Sequence, residues 1–326
     1  MNEKIICAGF GGQGIMLMGK ALSCAAMKEG KFVTSRQIRE RLFKAGYAED
    51  SIGLGITEVK KSLRERLKFE KKALVQTMKD EDINWSSLVR DPVEQPKAKT
   101  VSNFKYWSNQ NDARKVFLKA LESGEIDDLD SFIALTKKMH EVAVEGADGT
   151  NLYYKKPVDP GVYRSGSGWH NNYVDESYEV QNLAKKIGVK IDYDKEWKVR
   201  LSGIPENGLP ENVGTEHLYP DPRYIDDYFD QMYQSLQRLD EIPLHVNGGQ
   251  EAAVREIATY YQYGANARPF ENINNSIFMN EANVLLRSRG LEEIPHGLLD
   301  HAAQRLQPEE FQKLFLKSVA EKNPGL

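Results

Sequence analysis

The sequence predicts a mainly α-helical protein with a small β-hairpin. Three observations support this fold class. Apolar residues recur at helical spacing through most of the second half of the chain. Residues 149–221 are instead rich in Gly, Pro, Tyr and Asn and contain only short β-like runs. Residues 1–35 alone have the strand, turn, helix and strand order of a βαβ-like fragment, which a helical extension follows.

The composition argues against several classes of protein. The 326 residues include 44 basic and 48 acidic side chains, a net charge of −4, so the totals favour neither nucleic acid nor an anionic membrane as a partner. The sequence has no apolar run of membrane-spanning length and no signal-peptide pattern, so we expect a cytoplasmic protein. Cys7 and Cys24 are the only cysteines, and they suggest neither a disulfide framework nor a zinc site.

A glycine-rich turn follows the first predicted strand. Gly9, Gly11 and Gly14 form G-x-G-x-x-G between a predicted strand and a predicted helix, the context in which helix amides bind a phosphate. The second strand ends at Ser35 without the acidic residue that would hold a ribose hydroxyl, and no further βα units follow. We therefore expect residues 1–35 to form an appendage and not a complete dinucleotide-binding domain. A tight turn is the alternative role of the glycines.

The same segment resembles the start of an enzyme subunit. Residues 4–14 (KIICAGFGGQG) and 25–34 (AAMKEGKFVT) are similar to the N-terminus of the γ subunit of 2-oxoacid:ferredoxin oxidoreductases. The resemblance implies a nucleotide-binding oxidoreductase subunit, which we keep as an alternative function. The chain turns helical after Ser35 and has no cysteine set for an iron–sulfur cluster, so we do not expect that chemistry here.

Helical patterns dominate the rest of the chain. A charge-rich helical extension ends in a polar, proline-containing linker at residues 90–103, where we place a domain boundary. The three predicted parts are residues 1–35, 36–103 and 104–326. In the last part, helices are predicted over residues 112–122, 129–140, 221–239, 250–263, 276–288, 298–305 and 309–319, and β-like runs over 161–164, 187–193 and 197–201.

Two of these helices have clear start signals. Acidic residues precede the helix at 129–140 and complement its dipole, and Asp221 and Pro222 form an N-cap and N1 pair before the next helix. The apolar stripes of the helices are expected to meet in one core that contains Phe229, Met232, Leu236, Ile257 and Leu285.

The order of elements over about residues 105–325 resembles the Fic/Doc (Fido) superfamily. Residues 160–164 (PGVYR) are similar to the Pro-Gly-x-Tyr-Arg that opens the target-docking flap of that family. The resemblance implies a Fic-like helical bundle with a β-hairpin flap. It also implies target contacts from Tyr163, Arg164, Trp169 and His170.

The catalytic motif of that family is His-Pro-Phe-x-(Asp/Glu)-Gly-Asn-(Gly/Lys)-Arg. The aligned stretch is RPFENINNS at residues 268–276, which matches at Pro269, Phe270 and Asn274. In the family, a helix N-terminus binds the phosphates of a nucleotide, the histidine accepts a proton and the acid holds magnesium. The motif is therefore degenerate in this chain.

The replacements change the chemistry that the motif supports. Arg268 stands in place of the histidine and cannot accept a proton, but it can bind a phosphate through two hydrogen bonds. The resemblance implies ATP or another nucleotide with magnesium as the ligand. The nucleotide-binding residues are then Arg268, Asn274, Asn275 and Ser276, with Asn275 or Ser276 as a helix N-cap and with Glu271 and Asn272 as candidate metal or polar contacts. The alternative is a structural loop in which Arg268 pairs with Glu271.

Two functions follow from the Fic/Doc resemblance. One is a protein-modifying transferase that moves an AMP-like group onto a hydroxyl side chain of a protein target (AMPylation). The other is a catalytically inactive protein-binding module, which Arg268 favours. His245, His296 and His301 lie near the motif in sequence and are candidate substitute bases, although a surface or hydrogen-bonded role is the commoner one for a lone histidine. We expect a protein target in the cytoplasm, with delivery as an effector into a host cytosol as the alternative, and no resident metal.

Overall fold

The computed structural model describes residues 78, 83, 85–88, 101–146, 159–166, 168–171, 174–243 and 248–326, without the side chains of 101–104 and 170–178. These residues belong almost entirely to one compact unit, Lys71–Leu239 with Glu251–Leu326. Of the other unit, Met1–Glu70 with Asp240–Gln250, only residues 240–243 and 248–250 are described. The βαβ-like fragment with Gly9, Gly11 and Gly14, most of the helical extension and His245 lie outside the described residues.

The fold is mainly α-helical, as the sequence predicts. Eight α-helices are present in the described residues: α1 (Val101–Ser123), α2 (Leu129–Val144), α3 (Val174–Lys186), α4 (Ile225–Glu241), α5 (Gly249–Ala267), α6 (Asn274–Arg287), α7 (Leu299–Arg305) and α8 (Pro308–Lys322). Short 3₁₀ helices occupy Trp85–Ser87, Glu206–Gly208 and Pro222–Tyr224.

A small antiparallel sheet accompanies the helices. Its four strands are β1 (Trp169–Asn171), β2 (Trp197–Lys198), β3 (Glu211–Val213) and β4 (Glu216–Leu218), in the order β1-β4-β3-β2. Strands β3 and β4 form a hairpin in which Asn212 lies opposite His217. Gly214 makes the tight turn between them with a φ of +56°, a conformation that glycine adopts without a steric penalty.

The hairpin lies outside the β-like runs predicted from the sequence. Of the runs at 161–164, 187–193 and 197–201, only Trp197–Lys198 is strand. The hairpin has no alternation of apolar and polar residues because its buried positions are polar. Asn212 and His217 are both buried, and Nδ1 of His217 lies 2.9 Å from Oδ1 of Asn212.

Helix α3 has no counterpart among the predicted elements. Among its described side chains, Val180 and Ala184 alone are buried, a stripe too narrow to stand out as helical periodicity. The other predicted helices in this part of the chain are confirmed, with ends shifted by up to several residues. Helix α1 differs most, since it begins at Val101, within the predicted linker. The predicted domain boundaries stay predictions.

Local capping signals set the starts of α2 and α4. The Ser131 N–H donates to Oδ1 of Asp128 at 2.8 Å, and the Asp128 N–H donates to Oγ of Ser131 at 3.1 Å, which completes a capping box. At α4 the Arg223 N–H donates to Oδ1 of Asp221 at 2.9 Å, and Pro222 opens the 3₁₀ turn that leads into the helix. Both start signals predicted from the sequence are therefore confirmed.

An aromatic core joins α2, α4 and α5. The Phe132 ring lies edge-on to Phe229, with 5.8 Å between centroids, and to Tyr260, with 6.1 Å. All the residues expected in the core are buried, which confirms the predicted registers of α4, α5 and α6. They are Phe229, Met232, Leu236, Ile257 and Leu285.

One carboxyl group is buried among these helices. Glu281 of α6 accepts a hydrogen bond at Oε2 from the Tyr260 hydroxyl of α5, at 2.6 Å. Burial raises the pKa of the Glu281 carboxyl to about 8, against an opposing effect of the Tyr260 hydrogen bond. The folded protein therefore holds Glu281 protonated at neutral pH.

We expect Phe229→Ala to lower the free energy of unfolding by about 3–5 kcal/mol, because the change leaves a cavity in the aromatic core. Urea denaturation followed by circular dichroism measures this loss. Val162→Ala is the control, since Val162 is 55% exposed and its truncation should change stability little. Similar losses in the two variants would contradict the core assignment of Phe229.

Candidate functional site

The aligned motif folds as the loop between α5 and α6. Asn274 holds this loop closed, because its Oδ1 accepts from the Phe270 N–H and its Nδ2 donates to the Phe270 carbonyl, both at 2.8 Å. The Phe270 ring is buried and stacks on the ring of His140 from α2, with 3.9 Å between centroids. Phe270 and Asn274 match the family motif, and both shape the loop.

Two residues of the loop have a left-handed backbone. Arg268 has a φ of +38° and Ile273 a φ of +62°. A left-handed conformation is uncommon outside glycine and especially unfavourable for a β-branched residue, at a cost on the order of 1–3 kcal/mol. Ile273 therefore holds a conformation that glycine would adopt most easily.

The predicted N-cap of the following helix is wrong. Helix α6 begins at Asn274, Ile273 is its N-cap residue, and no side chain caps it within the described residues. Asn275 and Ser276 are the second and third residues of the helix, so neither is its N-cap residue. Nδ2 of Asn275 donates to Oδ2 of Asp300 at 2.5 Å, and Oγ of Ser276 accepts from the Tyr106 hydroxyl at 2.5 Å.

An open pocket of about 240 Å³ lies at the start of α6. The structure brings together here all four residues predicted to bind a nucleotide. The pocket is lined by Arg268, Asn274, Asn275 and Ser276, together with Leu88, Ile273, His296 and Asp300. The first residues of α6 line the pocket, so the positive end of the helix dipole lies there. No side chain of the described residues caps this helix end.

Arg268 contacts an aromatic residue and not a carboxylate. Its Nη1 donates a hydrogen bond to the Tyr219 hydroxyl, and its guanidinium carbon lies 4.7 Å from the centroid of the Tyr219 ring. No acidic side chain of the described residues forms an ion pair with Arg268, and Glu271 is exposed. The alternative pairing of Arg268 with Glu271 is therefore absent.

Arg164 is buried behind the loop and does not face a target on the surface. Its Nε donates to the Arg268 carbonyl at 2.8 Å, and its Nη2 donates to the Pro220 carbonyl at 2.5 Å and to the Ala267 carbonyl at 3.3 Å. Its Nη1 donates to the Gly166 carbonyl at 2.7 Å. Burial, together with the positive charge of Arg268, lowers the pKa of Arg164 to about 10, so this guanidinium stays charged at neutral pH.

The other predicted flap residues lie in different environments. Tyr163 is half-buried, with its ring stacked on Phe229 at 5.9 Å and its hydroxyl 3.3 Å from Oδ1 of Asp226, and burial raises its pKa above the usual range. Trp169 in β1 is 55% exposed. The backbone of His170 pairs with β4, and its side chain is not among those that the structure describes. Among the three flap side chains that are described, Trp169 alone is exposed.

His140 fastens the opposite side of the loop, a role that the sequence analysis missed. The Gly161 N–H donates to Nδ1 of His140 at 2.9 Å, and Nε2 lies 3.3 Å from the Asn272 carbonyl. Because Nδ1 accepts a hydrogen bond, the neutral ring carries its proton on Nε2 and donates it to Asn272. Burial lowers the pKa of His140 to about 4. One signal in the sequence could have shown its burial. His140 follows Thr136 by four residues, so both side chains lie on the same face of α2, and both are buried.

The two candidate metal or polar contacts of the motif lie outside the lining of the pocket. Asn272 carries no charge and its carbonyl is 3.3 Å from Nε2 of His140, while Glu271 is exposed, and neither residue lines the pocket. Asp300 is the carboxylate that does line it. Within the described residues, no three His, Cys, Asp or Glu side chains are grouped so as to hold a metal ion.

Two comparisons with known proteins found no match. Neither a protein-family model nor a curated protein matches the chain. None of the helices in the described part of the chain combines the length and the apolar character needed to cross a membrane.

We expect His140→Phe to change how stability depends on pH. The folded wild type keeps the ring neutral down to about pH 4, whereas the unfolded chain takes up a proton near pH 6.5. The free energy of unfolding of the wild type should therefore fall, relative to the variant, by about 1.4 kcal/mol per pH unit as the pH decreases between these values. Urea denaturation of both proteins from about pH 7 to pH 5 measures the slope.

A constant offset between the two pH profiles would reflect the lost hydrogen bonds of His140 and leaves the expectation untouched. Parallel profiles over the whole range, in contrast, would contradict a neutral, buried imidazole in the folded state.

Proposed function

We propose that the protein is a Fic-like module that binds the phosphates of a nucleotide in the pocket at the start of α6. One observation carries this proposal: Arg268 lines the same pocket as the first residues of α6, a helix start that no side chain caps within the described residues. Burial lowers the pKa of Arg164 most, the positive charge of Arg268 lowers it further, and weaker opposing effects come from Tyr219, Asp221 and Tyr228. No acidic side chain of the described residues forms an ion pair with either arginine. A bound anion would offset this repulsion.

The pocket itself suits a phosphate group. It is lined by Arg268 and by the first residues of α6, whose N-terminus has no side-chain cap within the described residues. Its volume of about 240 Å³ is below the roughly 300–1,000 Å³ of pockets that enclose a whole drug-sized ligand. The phosphates would therefore occupy the pocket, and the nucleoside would lie at its mouth.

Asp300 is the one carboxylate among the described residues that line the pocket, and its Oδ2 accepts a hydrogen bond from Nδ2 of Asn275 at 2.5 Å. A carboxylate beside a phosphate is unfavourable unless a cation lies between them. Mg²⁺ commonly binds one or two carboxylates together with the phosphates of a nucleotide. Asp300, and not Asn272 or Glu271, is the residue that would hold a magnesium ion carried by the ligand.

We expect Arg268→Ala to weaken ATP binding by about 1.5–3 kcal/mol, the contribution of a hydrogen bond to a charged group. Isothermal titration with ATP, ADP, AMP and pyrophosphate, each with and without magnesium, measures the affinities. Arg200→Ala is the matched control, because Arg200 is an exposed arginine whose contact with Glu206 spans 4.0 Å. Absence of ATP binding by the wild type, or equal affinities in the two variants, would overturn the proposal.

A specific observation favours transferase activity as a second candidate function. His296 lines the pocket, is 3% exposed, and has Nδ1 at 3.0 Å from the Gly297 carbonyl. A carbonyl only accepts hydrogen bonds, so Nδ1 carries the proton of the neutral ring and Nε2 keeps a lone pair. His296 can therefore accept a proton, which Arg268 in the motif position cannot.

In this second function, a hydroxyl oxygen of the target attacks the α-phosphorus of ATP, pyrophosphate leaves, and the hydroxyl proton passes to His296. ATP labelled at the α-phosphate should then transfer label to a protein hydroxyl. We expect His296→Gln to abolish the transfer, and titration of the same variant with ATP separates loss of the base from loss of binding. Undiminished labelling by this variant would exclude His296 as the base, and ATP binding without any labelling by the wild type would favour the inactive binding module.

A further inference from the structure

We propose that Arg164 is a positioning residue for this pocket, because its buried guanidinium fixes the end of α5 so that Arg268 faces the phosphate of the ligand. The inference rests on the proposed function and assigns to Arg164 a role different from the target contact expected for a flap residue. Arg164 does not itself line the pocket, so it acts on a ligand through Arg268.

The first step concerns the carbonyl groups at the end of α5. The last carbonyls of a helix have no partner within the helix and lie at the negative end of its dipole. Helix α5 has no basic residue in its own last turn. Arg164 supplies the missing cation from another segment, since its guanidinium donates to the carbonyls of Ala267 and Arg268.

The second step concerns the backbone on both sides of the Arg268 Cα atom. The Arg268 N–H donates to the Gly264 carbonyl at 3.2 Å, and the Arg268 carbonyl accepts from Nε of Arg164 at 2.8 Å. The next carbonyl, that of Pro269, accepts from the Arg164 N–H at 2.8 Å. These bonds hold Arg268 at its unfavourable φ of +38° and so fix the direction in which its side chain leaves the loop.

The third step explains why arginine is needed at residue 164. Its guanidinium reaches carbonyls in three separate segments, at Gly166, at Pro220 and at the end of α5. A flat fork with five N–H donors can span these acceptors, whereas the ammonium group of lysine donates from a single point. Arg164→Lys therefore keeps the positive charge but removes most of the hydrogen bonds to these carbonyls.

The test is a double-mutant cycle with pyrophosphate as the probe. Isothermal titration compares the full-length wild type, Arg164→Lys, Arg268→Ala and the double variant. We expect Arg164→Lys to weaken pyrophosphate binding by roughly tenfold in the wild-type background and to have no further effect once Arg268 is replaced, because coupled residues are not additive. A purely structural role would lower the melting temperature without this coupling.

Arg114→Lys is the matched control. Arg114 is also a buried arginine, but it lies on α1 and pairs with Glu293 at 2.5 Å. We expect this variant to lose stability and to keep the pyrophosphate affinity of the wild type. An equal loss of affinity in the two lysine variants would assign the effect to general destabilisation and would overturn the positioning role.

The failure of the inference can be told apart from the failure of the proposed function. Absence of pyrophosphate binding by the wild type, or unchanged affinity in Arg268→Ala, overturns the proposed function. If Arg268→Ala weakens binding, then wild-type affinity in Arg164→Lys, or an equal loss with and without Arg268, overturns the positioning role alone.

A measurement on the wild type covers the case in which Arg164→Lys does not fold. The Arg164 Nε–H group is hydrogen-bonded to the Arg268 carbonyl, so its NMR resonance should be protected from exchange with water. We expect this resonance to shift when pyrophosphate saturates the pocket, although Arg164 does not line it. An unchanged resonance at saturation would contradict the coupling of Arg164 to the ligand.

Discussion

The described structure depends on burying the Arg164 cation without a carboxylate partner. Moving a charge out of water is unfavourable unless hydrogen bonds replace the lost hydration, and here backbone carbonyls do so. Those carbonyls belong to Gly166, to Pro220 after β4, and to Ala267 and Arg268 at the end of α5. One side chain thus ties together three stretches of chain that are far apart in sequence. The loop that carries the motif is built on this junction.

The helices were predictable from the sequence because their signals are local. The Asp128 and Asp221 caps and the apolar stripe of α4 follow from residue spacing alone, and all are present. The hairpin was not predictable by the same means, because its buried positions hold the polar residues Asn212 and His217, which hydrogen bond to each other. Local patterns miss a segment whose interior is polar.

The sequence indicates which residues belong to the candidate site but not how they are arranged in space. Arg268, Asn274, Asn275 and Ser276 do line one pocket, as the alignment of the motif suggests. His296 and Asp300 join them only through folding, since they come from a separate part of the chain. Pro269, Phe270 and Asn274 match the motif and build the loop, whereas its chemical positions hold other residues. His296, from another segment, lines the pocket beside this loop.

Two of the buried titratable groups, His140 and Glu281, affect in opposite directions how the stability of the protein depends on pH. The formal charge of −4 counts Glu281 as ionised, but with a pKa of about 8 its carboxyl is mostly protonated at pH 7, so the folded protein is less negative than this count. The folded state holds this proton between pH 4.5 and 8 and the unfolded state does not, so Glu281 stabilises the fold increasingly as the solution becomes more acidic. His140 acts in the opposite sense between pH 6.5 and 4. Between about pH 4.5 and pH 6.5 both groups act, and their effects on the free energy of unfolding oppose each other. Mild acidification therefore changes stability less than either group alone would change it.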